Sequence, residues 1–278
     1  MINNVPFFDR KYSENTENQL VGILRNGFLT SGKVGMHVED LLESYFDISG
    51  AALMNSWTNG AVVALSCMGI GEGDEVIVPA MTFVATASSV KCVNAKPILC
   101  DVCPETGNIS WEFIQPKLTD NTKAIFVVHM YGLMMDVKLI RDSLDEIGRQ
   151  DVEIIEDAAH CFEGEFDNYK PGKYSKCAIF SFYATKNISC GEGGAVISSD
   201  KEFIDACFEN MIEVVNDTYH DVPSPVMWRY AIRRNNVLDF YKEELYWDIK
   251  LDAGEKVADV MAIYGAAKIQ SDKMKEFD

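Results

Sequence analysis

The sequence predicts an α/β fold, a mostly parallel sheet with helices on both faces (α/β/α), followed by the start of a truncated second lobe. Three observations carry that expectation. Apolar runs are followed by helical stretches in a repeated rhythm: EVIVP before VATASSVKCV, KAIFVVH before VKLIRDSLDEIG, and VEIIED before a long loop. Strand followed by helix at this spacing yields parallel strands covered by the intervening helices. The chain of 278 residues is 47% hydrophobic and 24% charged, the balance of a globular protein with a full-sized core. From Asp217 the pattern weakens through Pro223 and Pro225, which ends the region of clear alternation.

Taken in order, residues Glu14 to Asn26 place Leu20, Ile23 and Leu24 on one helical face and stop at Gly27, a C′ glycine. A second helix is expected from about Gly35 to Phe46, then a strand AALM and a helix beginning near Asn59. After the three alternating units, CAIFSFYATK and GGAVISS read as two more strands, separated by a turn containing Gly191, Gly193 and Gly194. Residues Lys201 to Asn216 form a further helix. The closing segment, VADVMAIYGAAKIQSDKMKEFD, has helical composition and no stop signal. The expected division is therefore 1–216 as a large domain and 217–278 as the start of an incomplete C-terminal region.

Charge and composition exclude several classes. A net charge of -18 disfavours nonspecific binding to nucleic acid or anionic membrane, which relies on clustered Lys and Arg. There is no apolar run of about 20 residues and no basic-then-apolar start, so a cytoplasmic protein is expected. The eight cysteines lack the dense spacing of a secreted disulfide scaffold and read as reduced thiols. Cys100 and Cys103 form a CxxC pair, but no second pair or histidine follows at zinc-ligand spacing, and no metal site is expected.

Ligands of open α/β sheets collect at the C-terminal ends of parallel strands, and polar clusters stand at such ends here. Asn55 to Gly60 lies between AALM and the next helix; free N–H groups at a helix start beside a Thr hydroxyl can cradle a phosphate, although Ser or Thr there also serves as a simple N-cap. Asp157 closes the apolar strand of IIEDAAH. Buried there it needs a cation or strong donor, which a protonated pyridine nitrogen, a structural ion pair or a helix cap would supply. Lys186, in FSFYATKNISCGEGG, stands between an apolar strand and a tight turn. Partial desolvation there would lower its pKa and free the amine for Schiff-base chemistry. Ser181, five residues earlier, could direct its hydroxyl at the same phosphate or be an ordinary strand serine.

The segments TNGAVVAL, GIGEGDEVIVPAMTFVATASSV, DVCPETGNI, HMYG, IIEDAAH and FSFYATKNISCGEGGAV occur in the order and spacing of the DegT/DnrJ/StrS nucleotide-sugar aminotransferases, and the chain resembles that family over nearly its whole length. The resemblance implies the large domain of a fold type I enzyme dependent on pyridoxal 5'-phosphate. By position, Lys186 matches the lysine that holds the cofactor as a Schiff base and later moves the substrate proton. Asp157 matches the carboxylate at the pyridine nitrogen, His160 the residue near the phenolic oxygen, and Phe83 the aromatic stacked on the ring. Thr58, Asn59 and Ser181 fall at phosphate-binding positions. Lys256, in AGEKVAD, aligns loosely with a residue sent into the partner subunit's site. Trp57 replaces a glycine of the phosphate loop, and Leu133 stands where a Gln is common.

The implied reaction moves an amino group, from L-glutamate, to a nucleotide-linked keto sugar in a homodimer with shared active sites. Related sugar dehydratases carry histidine at the position of Lys186, so lysine favours transamination. A silent or split paralogue acting as an assembly partner is the alternative from another class, motivated by a chain that ends before the family's small C-terminal domain.

Overall fold

The computed structural model describes residues 12–26 and 32–218, with side chains as far as residue 210. Residues 39–210 form one compact unit. The elements run α1 (Glu14–Asn26), α2 (Lys33–Phe46), β1 (Gly50–Met54), α3 (Trp57–Cys67), β2 (Glu75–Pro79), α4 (Val84–Cys92), β3 (Lys96–Cys100), α5 (Trp111–Ile114), β4 (Thr122–Val128), α6 (Val137–Glu146), β5 (Glu153–Asp157), β6 (Cys177–Ser181), β7 (Gly194–Ser198) and α7 (Lys201–Thr218). Gly27 and the segment beyond Thr218 lie outside the described residues.

Seven strands form one sheet in the order β1-β7-β6-β5-β4-β2-β3. β3, β2, β4, β5 and β6 are mutually parallel, and β7 is antiparallel to both β6 and β1. The expected mostly parallel α/β sheet is therefore present, and the glycine-rich stretch after Lys186 is where the chain reverses direction. Consecutive residues of β4 serve opposite faces: Ile125 and Val127 join Val137, Ile140 and Leu144 of α6 in one core cluster, whereas Phe126 meets Trp57 of α3. Helices thus cover both faces, as a strand such as β2, buried at every residue, requires.

The edges are protected differently. β3 is buried only at Cys100 and carries Pro97, a residue confined to edges because it donates no ladder hydrogen bond. On the opposite edge, the amides of Ala51 and Leu53 donate to the carboxylates of Glu43 (3.1 Å) and Glu39 (2.9 Å) on α2, so side chains occupy groups that would recruit another strand.

Candidate active site

Strand direction puts the ends of β1, β2, β4, β5 and β6 on one side of the sheet, where β7 begins. Gly194 is the junction, paired with Met54 on β1 and with Ser181 on β6. A Cβ at Gly194 would lie 2.7 Å from the Phe180 carbonyl oxygen, 2.8 Å from Ser56 C and 2.9 Å from Trp57 N. Only glycine permits this approach of β7 to the first turn of α3.

Helix α3 starts at Trp57, two residues before the expected start near Asn59. Ser56 takes an extended conformation and its Oγ accepts from the Asn59 amide at 3.2 Å, so the cap precedes the two residues whose helix propensity is poor. The amides of Trp57 and Thr58 have no acceptor within the helix by position, and such first-turn amides suit an anion; the Thr58 and Ser181 side chains are partly buried. Asn59 contributes less through its backbone, since that amide is already used by Ser56; its side chain donates to Asn55 Oδ1 at 2.8 Å. The Trp57 indole turns away into the core, 6.0 Å from the Phe126 ring between centroids, which leaves the backbone amide as its contribution to the loop. Ser181 Oγ accepts from the Tyr183 amide at 3.3 Å.

Asp157 ends β5 and is buried. One oxygen accepts from the Ala159 amide at 3.1 Å, and the other from Thr86 Oγ1 on α4 at 3.4 Å. Burial pushes the carboxyl up to about 6, against the opposing effects of the Ala159 amide, His129, Lys186 and Thr86. Among the described residues it has no ion pair, so two weak donors hold a desolvated acid. Phe83 lies one turn before Thr86, caps α4 and leaves its side chain 75% exposed, an unusual state for a large aromatic beside buried groups.

Lys186 is partly buried in the segment joining β6 to β7, its amide donating to the Tyr183 carbonyl at 2.9 Å. Burial lowers its pKa, and the Asp157 charge raises it less. Each group therefore feels the other without a direct ion pair. His160 is partly buried too; burial, then the charge of Lys186, keeps its imidazole below its ordinary pKa. The fold thus brings Thr58, Asn59, Ser181, Asp157, His160 and Lys186 to one side of the sheet, with Phe83 at its rim. Lys256 lies outside the described residues.

Other groups at this edge were not singled out from the sequence. Thr86 belongs to the MTFVAT segment, and only the geometry shows it reaching Asp157. Beneath the site, buried Glu156 and His129 join at 2.7 Å between Oε2 and Nε2; His129 Nδ1 accepts the Met135 amide, so the imidazole keeps its proton on Nε2 and donates it to the carboxylate. Alternation along β5 was the available signal, because it sends Glu156 and Asp157 to opposite faces.

A family model described as the DegT/DnrJ/EryC1/StrS aminotransferase family matches residues 10–221. The chain is 37% identical over 171 residues to the GDP-perosamine synthase of Caulobacter vibrioides, covering 62% of this chain and 45% of that one. It is 31% identical over 204 residues to the GDP-perosamine synthase of Vibrio cholerae, covering 73% and 55%. The crystal structure of NtdA from Bacillus subtilis with bound cofactor PMP superposes with a TM-score of 0.68 at 29% identity, over 80% of this chain and 49% of that one. The chain spans about half the length of the curated relatives it matches.

Proposed function

This chain belongs to the DegT/DnrJ/EryC1/StrS aminotransferase family, and we propose that it transfers an amino group from L-glutamate to a nucleotide-linked keto sugar, using pyridoxal 5'-phosphate. One observation carries the reading. Among the described residues a buried acid forms no ion pair, and it shares a strand-end site with a partly buried lysine whose charge acts on it.

The residues present fit the cofactor. The glycine-permitted approach of β7 to α3 leaves first-turn amides for its phosphate, together with Thr58 and Ser181. Asp157 would take its ring nitrogen, and a protonated ring nitrogen would give that carboxylate the cationic donor it lacks among the described residues. Phe83 offers an exposed aromatic face and His160 a neutral imidazole. When bound, pyridoxal phosphate supplies an electron sink for bond changes at the carbon that carries the nitrogen.

The chain's own part is to bind, orient and move protons. Lys186 is the residue that would hold the cofactor, and its neutral amine would move a proton at the substrate carbon as base and then acid. Its lowered pKa raises the neutral fraction that this role requires. The Asp157 carboxylate would hold a ring nitrogen in its protonated form. The proposal extends to a homodimer with shared active sites, to which Lys256 would contribute; family membership supports that extension.

The test is reduction with borohydride after mixing the protein with pyridoxal phosphate, followed by peptide mass mapping. The adduct is expected on Lys186 and absent from Lys186→Ala. Glutamate should yield 2-oxoglutarate, with the variant slower by at least about 10²-fold. An adduct spread over surface lysines would overturn the cofactor assignment, whereas a Lys186 adduct with no response to glutamate or a keto sugar would favour a binding or assembly role.

A further inference from the structure

Tyr131 presents a combination that the proposed chemistry leaves unexplained. Its backbone has φ of 54°, in the left-handed region, and its side chain is 80% exposed. The other non-glycine residues with positive φ among those described are Asp47, Asn94, Asp167 and Asn168, types that tolerate the conformation. A tyrosine there is strained, and strain persists only where the surroundings impose it.

The surroundings do impose it. Buried Asn108 accepts the Met130 amide at 3.1 Å and donates to the Leu133 carbonyl at 3.0 Å, gripping the turn on both sides of Tyr131. The Gly132 amide donates to the His129 carbonyl at 3.1 Å, and buried His129 takes the Met135 amide. A Cβ at Gly132 would stand 3.0 Å from the His160 carbonyl oxygen, so the turn lies directly against the His160 backbone.

The result is a tyrosine ring parallel to the His160 imidazole, with 6.0 Å between centroids and 4° between planes, an offset stack. Among the described residues no hydrogen bond reaches either nitrogen of that imidazole. We infer that Tyr131 is a positioning residue for His160: the clamped turn holds its ring against the imidazole and fixes the plane in which His160 meets a bound ligand. The consequence for catalysis rests on the proposed cofactor site, but the positioning itself does not.

Two measurements separate these levels. In cofactor-free protein, the His160 ring resonances should carry a ring-current shift that Tyr131→Phe retains and Tyr131→Asn abolishes. Asparagine suits the left-handed backbone, so its effect isolates the ring, and a melting temperature no lower than the parent's verifies the fold. Identical His160 shifts in parent and Tyr131→Asn overturn the inference. The second measurement is a double-mutant cycle on pyridoxal phosphate affinity. Tyr131→Asn should weaken it roughly two- to tenfold in the parent and not in His160→Ala, with Tyr131→Phe restoring the parent value. An equal loss in both backgrounds refutes action through His160. Failure of the parent to bind pyridoxal phosphate defeats the cofactor reading instead, while the resonances still decide the positioning claim.

Discussion

The two ends of the parallel strands treat charge in opposite ways. At the end where the strands begin, Lys96 meets Glu75 at 2.8 Å, Arg149 meets Asp151 at 2.9 Å and Lys176 meets Asp200 at 2.7 Å. Thr119 adds a second donor to Glu75, and Arg149 reaches the carbonyls of Thr119 and Thr122. Where the strands finish, Asp157 and Lys186 influence each other but form no ion pair among the described residues, and Tyr131 holds a strained backbone. Paired charges fix the scaffold where the strands begin; where they finish, the buried pair of Glu156 and His129 lies beside an acid and a lysine that are unpaired among the described residues, at the place proposed for a ligand.

Replacing Asp157 should break the contrast most strongly. Asp157→Asn keeps an acceptor for the Ala159 amide but cannot carry the charge proposed to hold a ring nitrogen protonated, so turnover should fall by about 10²-fold or more. Stability should move the other way. The folded pKa of about 6 exceeds the ordinary 3.8, so the folded chain binds the extra proton between these values. That contribution is fully present below the unfolded value and is lost as pH rises through the folded one. In urea unfolding of cofactor-free protein, parent and variant should agree near pH 3, below the unfolded value. By pH 7 the parent should have lost on the order of 3 kcal/mol relative to the variant. A difference that does not change with pH would show that the carboxylate is already compensated.

Gly194→Ala sharpens the comparison at the side proposed to bind the anion. The added Cβ meets backbone atoms of Phe180, Ser56 and Trp57, none of which is the far end of a flexible side chain. The start of α3 must shift, at roughly 1–3 kcal/mol of stability by urea titration, and phosphate-dependent cofactor affinity should fall with it. Full affinity with unchanged stability would mean that the close approach is dispensable.

These effects bear on what the sequence could reveal. Alternating apolar runs identified the parallel strands because strand burial is written into consecutive residues such as Val76 to Val78. Asp157 and Lys186 were legible because a charged group beside an apolar run is costly to desolvate and therefore stands out against it. The antiparallel entry of β7 was not legible, since GGAVISS is equally apolar in either direction. The start of α3 was displaced because Ser56 outweighs the weak propensities of Trp57 and Thr58. Thr86, Asn108 and Tyr131 depend on contacts between segments far apart in the chain, and no local pattern encodes the Asn108 grip on Met130 and Leu133.

The smallest effect is expected where the strands begin. Lys96 is 68% exposed and meets Glu75, whose side chain is 11% exposed and also accepts from Thr119 Oγ1 at 2.7 Å. The Lys96 contact, then Thr119, holds the Glu75 carboxyl below its ordinary pKa. Lys96→Met therefore leaves the carboxylate a donor and access to water, and the loss should stay within about 1 kcal/mol and shrink in high salt. Because the folded pKa is depressed, the pair's contribution exists above the unfolded pKa of Glu75 and disappears as pH falls through the folded one, opposite in direction to Asp157. Cofactor affinity should be unaffected. If Lys96→Met weakened that affinity as Gly194→Ala does, the two ends would be coupled through the sheet, and their separation into scaffold and site would be wrong.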